Sequence, residues 1–170
     1  MGWSLTHLKT RNPELVESAL LAAGKSLYLA NRFESKCKFV LRIANLEKFV
    51  VENSNSTFSD AIASLAKDKL LGQTIEALKK FPIVSSVDVS TLEVARDARN
   101  FIAHEGAYFG ALHVKENQMN EHMKKLRNYV GDLARGDDVV SRWVYEIEEK
   151  EFATGIMPNY EKMIDKWIFG

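Results

Sequence analysis

The chain has 170 residues, 46% hydrophobic and 27% charged, with 23 basic and 23 acidic side chains and a net charge of zero. That length and composition fit one soluble globular domain with a sizeable core. The zero net charge excludes a broad electrostatic coat for nucleic acid, though a local basic patch remains compatible with it. The single cysteine, Cys37, excludes an internal disulfide and points to a reducing, cytoplasmic compartment. No apolar run approaches a membrane span, and the N-terminus lacks a signal-peptide pattern. Met1-Gly2 with Thr6 matches a myristoylation signal in form only, because bulky Trp3 follows Gly2. His113 and His122 do not make a ligand set, so no metal and no cofactor is expected.

Taken in order, residues 1–11 read as an irregular lead in which Trp3 and Leu5 tuck against the body. Asn12-Pro13-Glu14 starts a helix: an Asn cap, Pro at the first helical position and an acid in the first turn. From there to Glu52 there is no proline and only one glycine, Gly24. One long helix is the preferred reading over two that bend near Gly24 or Asn31. Its apolar stripe is read as Leu20, Leu27, Phe33, Val40, Ile43, Leu46 and Val50. Its middle carries Arg32/Lys36, Glu34/Lys38 and Lys38/Arg42 at four-residue spacing, an ordinary solvated pattern that adds phosphate contacts if it faces a cleft.

Residues 53–57 form a polar loop, followed by short helices at about 59–69 and 72–80, the second ended by Phe81-Pro82. Ile83 to Val89 reads as an ordered loop, with Ser90 or Thr91 capping the next helix. After that helix, a further one runs from Glu116 to about Ala134. Gly136-Asp137-Asp138 is read as the start of another, and Pro158-Asn159 opens the last. The fold class is all-α: one domain over 1–170, with a core at about 13–135 and a helical extension over 136–170.

The stretch from Leu92 to His104 holds the chemistry. As a helix it gathers Val94, Ala95, Ala98, Phe101 and Ile102 on one face. Arg96, Asn100 and His104 follow one another at four-residue spacing on the other face, with Arg99 at the border. Guanidiniums, an amide and an imidazole can together hold a phosphate and exchange a proton near neutral pH. By itself the same pattern also fits an ordinary solvated face. Two glycines, Gly106 and Gly110, follow, so the helix should end or deform there. On an ideal helix Arg99 and His104 lie about 140° apart, too far round to grip one phosphate without a deformed end or a second copy of the chain.

Arg99-Asn100-Phe101-Ile102-Ala103-His104 resembles the R-N-x3-H signature of HEPN domains, a superfamily of small all-helical proteins in which Arg and His are separated by four to six residues. The resemblance extends over about 13–135, with a long first helix, short connecting helices and the motif late, at a helix end. It implies a metal-independent endoribonuclease, as in toxins and antiviral defence proteins, that is a homodimer with a composite active site. Arg99, Asn100 and His104 are then the expected catalytic residues, and Arg96, Tyr108 and Lys36 the expected RNA contacts. RNA and an antitoxin protein are the expected partners, with no membrane. The chain departs from two family features. Gly106 stands where some members carry a modified Tyr. Phe39 stands where an Arg completes Glu-x3-Lys-Arg, so Glu34 is read as an ion-pair partner of Lys38. The alternative is a non-catalytic HEPN-like dimerisation or RNA/nucleotide-binding module.

Overall fold

The computed structural model describes residues 13–65, 69–81, 84–108, 115–149 and 159–170. Among them are six helices and no strand: α1 (Pro13–Glu52), α2 (Phe58–Ser64), α3 (Leu71–Leu78), α4 (Ser86–Glu105), α5 (Glu116–Glu149) and α6 (Tyr160–Phe169). The protein is all-α. None of the described helices is long and apolar enough to cross a membrane. The lead over residues 1–11, Asn12, His113 and Pro158 lie outside the described residues.

The first helix is continuous for 40 residues, roughly 60 Å at 1.5 Å per residue. Its buried stripe matches the expected one at Phe33 and Val40 and departs from it elsewhere. Leu20, Leu27 and Val50 are exposed, while Ala19, Ala22, Ala23, Ser26, Leu29, Ala30, Phe33, Cys37, Val40 and Leu41 are buried. The N-terminal half turns small residues inward, which lets neighbouring helices approach closely, and leaves its larger side chains outside. Burial pushes the Cys37 thiol up, and the carboxylates of Asp137 and Glu34 add to the effect.

Helix α5 is the hub: it packs against α4, α1 and α6, and its contact with α4 is the most extensive in the fold. It runs unbroken through Gly136, where the sequence suggested a new helix, so the drawn boundary between 135 and 136 falls inside one element. The glycine marks a close crossing instead. A Cβ at Gly136 would lie 2.2 Å from the Ala95 Cβ and 3.3 Å from the Phe33 ring. The cost of a glycine inside a helix, about 0.5–1 kcal/mol, is offset by the intimate α1–α4–α5 contact it permits.

Next to it, Asp137 is fully buried. Lys36 Nζ donates to both of its carboxylate oxygens at 2.9 and 2.8 Å, and Tyr160 Oη donates at 2.5 Å. Lys36 also donates to Ser141 Oγ at 2.8 Å. This network joins α1, α5 and α6. Burial, followed by the neighbouring Asp137 charge, pushes the Tyr160 hydroxyl well above the usual tyrosine range. Asn159 takes the left-handed conformation before α6 (φ 77°), which asparagine tolerates better than most residues. Arg127–Asp165 and Arg135–Glu161 pairs tie α6 along α5. On α6 itself, Met163 and Trp167 are exposed and Ile168 is buried.

Candidate functional site

Helix α4 starts five residues earlier than its expected cap. Ser85 is the N-cap and forms a capping box with Asp88: the Ser85 side chain accepts from the Asp88 backbone N–H, and the Asp88 carboxylate accepts from the Ser85 backbone N–H. Ser90 and Thr91, the expected caps, lie inside the helix and donate back to the Val87 carbonyl. The inner face is Leu92, Ala95, Ala98, Phe101 and Ile102, whereas Val94 is 48% exposed. Ala95 and Ala98 bring α4 close to α5 and fix its rotation. With the inner face turned to α5, the polar face can only look away from it.

The C-terminal end of α4 is clamped. The Phe101 ring stacks on Tyr129 of α5 with centroids 4.1 Å apart, and the Lys125 ammonium sits 4.5 Å from the Phe101 centroid. His122 Nε2 lies 3.0 Å from the Gly106 carbonyl oxygen. A carbonyl only accepts, so in this bond Nε2 carries the proton. The helix stops at Glu105 with Gly106 still right-handed (φ −56°), so the end is neither unwound nor deformed.

The polar face opens onto a groove of about 830 Å³ between α4, α3 and Glu34 of α1. Arg96, Arg99, Asn100 and His104 all line it, despite the angular separation of Arg99 from His104 on the helix. The width of the groove accommodates both. Arg99 Nη2 lies 2.5 Å from Glu34 Oε2, and its Nη1 donates to Asn100 Oδ1 at 3.4 Å. Glu34 also pairs with Lys38 at 2.8 Å, as its four-residue spacing suggested. Burial pushes the Glu34 carboxyl up, but the hydrogen bonds and charges of Lys38 and Arg99 outweigh that and hold it below the usual range. Arg99 Nε is buried with no hydrogen-bond partner among the described residues. Arg96 grips its neighbour Asp97 through Nε (2.9 Å) and Nη2 (2.8 Å). His104 is exposed at the groove, and its side chain makes no hydrogen bond or ion pair with another described residue.

Two of the expected RNA contacts are not in the groove. Lys36 is held in the Asp137 network, two residues and about 200° round α1 from Glu34. Tyr108 is 74% exposed beyond the helix end and does not line the groove either. Conversely, the groove gains Lys69, Gln73 and Lys80 from α3 and its flanks. No spacing within α4 could have signalled them, because they arrive through tertiary packing. The charged lining is four cations (Lys69, Lys80, Arg96, Arg99) against two carboxylates (Glu34, Glu76), an excess of two positive charges in a chain of net charge zero. Among the described residues no group of three or more His, Cys, Asp or Glu side chains is placed to hold a metal ion.

Chemically, such a groove can take a phosphodiester. The guanidiniums and ammoniums attract it, and an imidazole within the same space can give or take a proton. In comparisons with protein-family models, curated proteins and solved structures, nothing matches this chain.

Proposed function

We propose that this protein is a metal-independent endoribonuclease of the HEPN type that acts in the cytoplasm as a toxin or anti-phage defence protein. The observation that carries the proposal is the convergence of Arg96, Arg99, Asn100 and His104 on one cationic groove. RNA supplies its own nucleophile, the 2′-hydroxyl, so the protein needs only to position the strand, move a proton and stabilise charge. His104 takes the 2′-hydroxyl proton or delivers one to the leaving oxygen. The 2′-oxygen–phosphorus bond forms, the bond to the 5′-oxygen breaks, and the products end in a 2′,3′-cyclic phosphate and a 5′-hydroxyl. Arg99 stabilises the charge that builds on the phosphorane, and Asn100, in contact with Arg99, orients the phosphate.

One protomer brings one His104, whereas acid and base acting together need two groups. A homodimer whose two-fold axis passes beside the groove supplies the second, in a composite site. An antitoxin protein that covers the groove is the matching inhibitor.

One observation favours a second reading, a non-catalytic HEPN-like dimerisation or RNA/nucleotide-binding module. Both guanidiniums are already paired, Arg99 with Glu34 and Arg96 with Asp97, an arrangement suited to holding a ligand without turning it over. The deciding experiment incubates the protein with single-stranded and transfer RNA, with and without EDTA, beside His104→Ala. Cleavage that survives EDTA, leaves cyclic phosphate ends and vanishes in the variant is the expected result. Equal cutting by both proteins overturns the role of His104. RNA binding by a dimer with no cutting moves the second reading to first place.

A further inference from the structure

A second groove, of about 750 Å³, runs between the C-terminal part of α1 and the end of α3. It meets the first at Lys69, Ala77 and Lys80, which line both. Sharing these residues, the two form one trough beside α1, whose lining residues on that helix run from Glu34 to Glu52, about 27 Å of helix axis at 1.5 Å per residue.

The linings differ in kind. The first groove carries the larger excess of positive charge, four cations against two carboxylates where the second has three against two, and it alone carries the Arg/His groups. In the second, Lys48 is countered by Glu47 and Glu52, the latter 3.7 Å away, and the walls are largely apolar: Ala44, Val51 and the half-buried Phe81 ring. The half-buried amide of Asn45 is the neutral polar group among them. An aromatic side chain and an amide that line one groove suit the plane and edge of a nucleobase rather than a phosphate, although Phe81 also packs against the core. Lys69 and Lys80, at the junction, suit the backbone phosphate between the two.

Resting on the RNA-cleaving reading above, we infer that the second groove is a flanking-base subsite, and that the ligand is an unpaired RNA strand of about four nucleotides, the low end for single-strand grooves. Bases locked in a duplex present only their edges, and in A-form RNA the major groove is too narrow for side chains. A paired strand therefore cannot lay a base on Phe81.

The test is fluorescence anisotropy in the His104→Ala background, where no strand is cut, with labelled RNAs of two and eight nucleotides and an eight-base-pair duplex. The eight-mer is expected to bind at least tenfold more tightly than the dinucleotide. Phe81→Ala should remove most of that gain, on the scale of one lost base–aromatic stack, and leave dinucleotide affinity unchanged. Lys48→Glu, at a side chain that is 63% exposed and so harmless to folding, should weaken the eight-mer alone. Equal affinity for both lengths, a length preference that survives both substitutions, or a duplex that binds as tightly as the eight-mer overturns the subsite. Failure of every RNA to bind overturns the RNA reading itself, which separates the two outcomes.

Discussion

Helix α1 carries two acid–base pairs two residues apart, on nearly opposite faces, and they do different work. On one face Lys36 meets Asp137, whose side chain is 0% exposed and takes donors from Lys36 and Tyr160. On the other, Glu34 meets Arg99 at 17% and 22% exposure, beside an open groove. The first pair sits where three helices meet, with Asp137 fully buried and Ser141 and Tyr160 as further polar partners, so it acts on stability. The second has the same chemistry, yet both partners line a space large enough for a ligand. Charge pairing alone therefore says nothing about function. The room left beside the pair decides it.

Substitutions on the two faces should separate accordingly. The largest loss of stability is expected from Asp137→Ala, about 3 kcal/mol by urea denaturation, because it strands the Lys36 ammonium and the Tyr160 hydroxyl between helices. A loss below about 1 kcal/mol would mean that the network is relaxed by water. Arg99→Ala should do the reverse. It should lower RNA cleavage about 100-fold, the scale of one lost charge-stabilising group, while shifting stability by less than about 1 kcal/mol. Parallel losses of fold and activity in this variant would erase the distinction between the faces.

Gly136→Ala lies on the sealed side and should cost about 2 kcal/mol, because its methyl would collide with Ala95 and force α4 away from α5. Pairing it with Ala95→Gly, which removes the collision, should recover most of that loss. The smallest effect is pH-dependent. Glu34 is held below its ordinary pKa in the fold, so its contribution to stability is present above the unfolded-state value. It is lost as pH falls through the lowered folded value. Glu34→Gln should accordingly flatten the acid limb of the stability profile and leave its alkaline limb unchanged. An unchanged acid limb would show that Lys38 and Arg99 do not favour the ionised form.

Reading the chain in one dimension succeeded where the relevant interactions are local. The 40-residue span of α1 follows from a proline-free segment with a single glycine, and the polar row on α4 follows from four-residue spacing. It failed where local signals carry a tertiary meaning. Gly136 looks like a break because glycine usually weakens helices, yet here its missing side chain is what two crossing helices require. Ile83 to Val89 read as a loop because its β-branched residues suited a strand that had no partner, yet the Ser85–Asp88 box starts α4 within it, so Val87 and Val89 are helical. Leu20 and Leu27 looked like core by hydrophobicity, but the neighbours of α1 approach closely enough to select alanines at positions 19, 22, 23 and 30 instead.

The sequence by itself determined most of the helical spans and which chemical groups share the outer face of α4, because hydrogen bonds and side-chain neighbours within a helix span at most four residues. Only the tertiary structure decided that Lys36 turns inward to Asp137, 101 positions away, and that Glu34, Lys69 and Lys80 converge on Arg99 and His104. Those placements depend on how helices far apart in the chain rotate to bury their small residues, and no local spacing encodes that rotation.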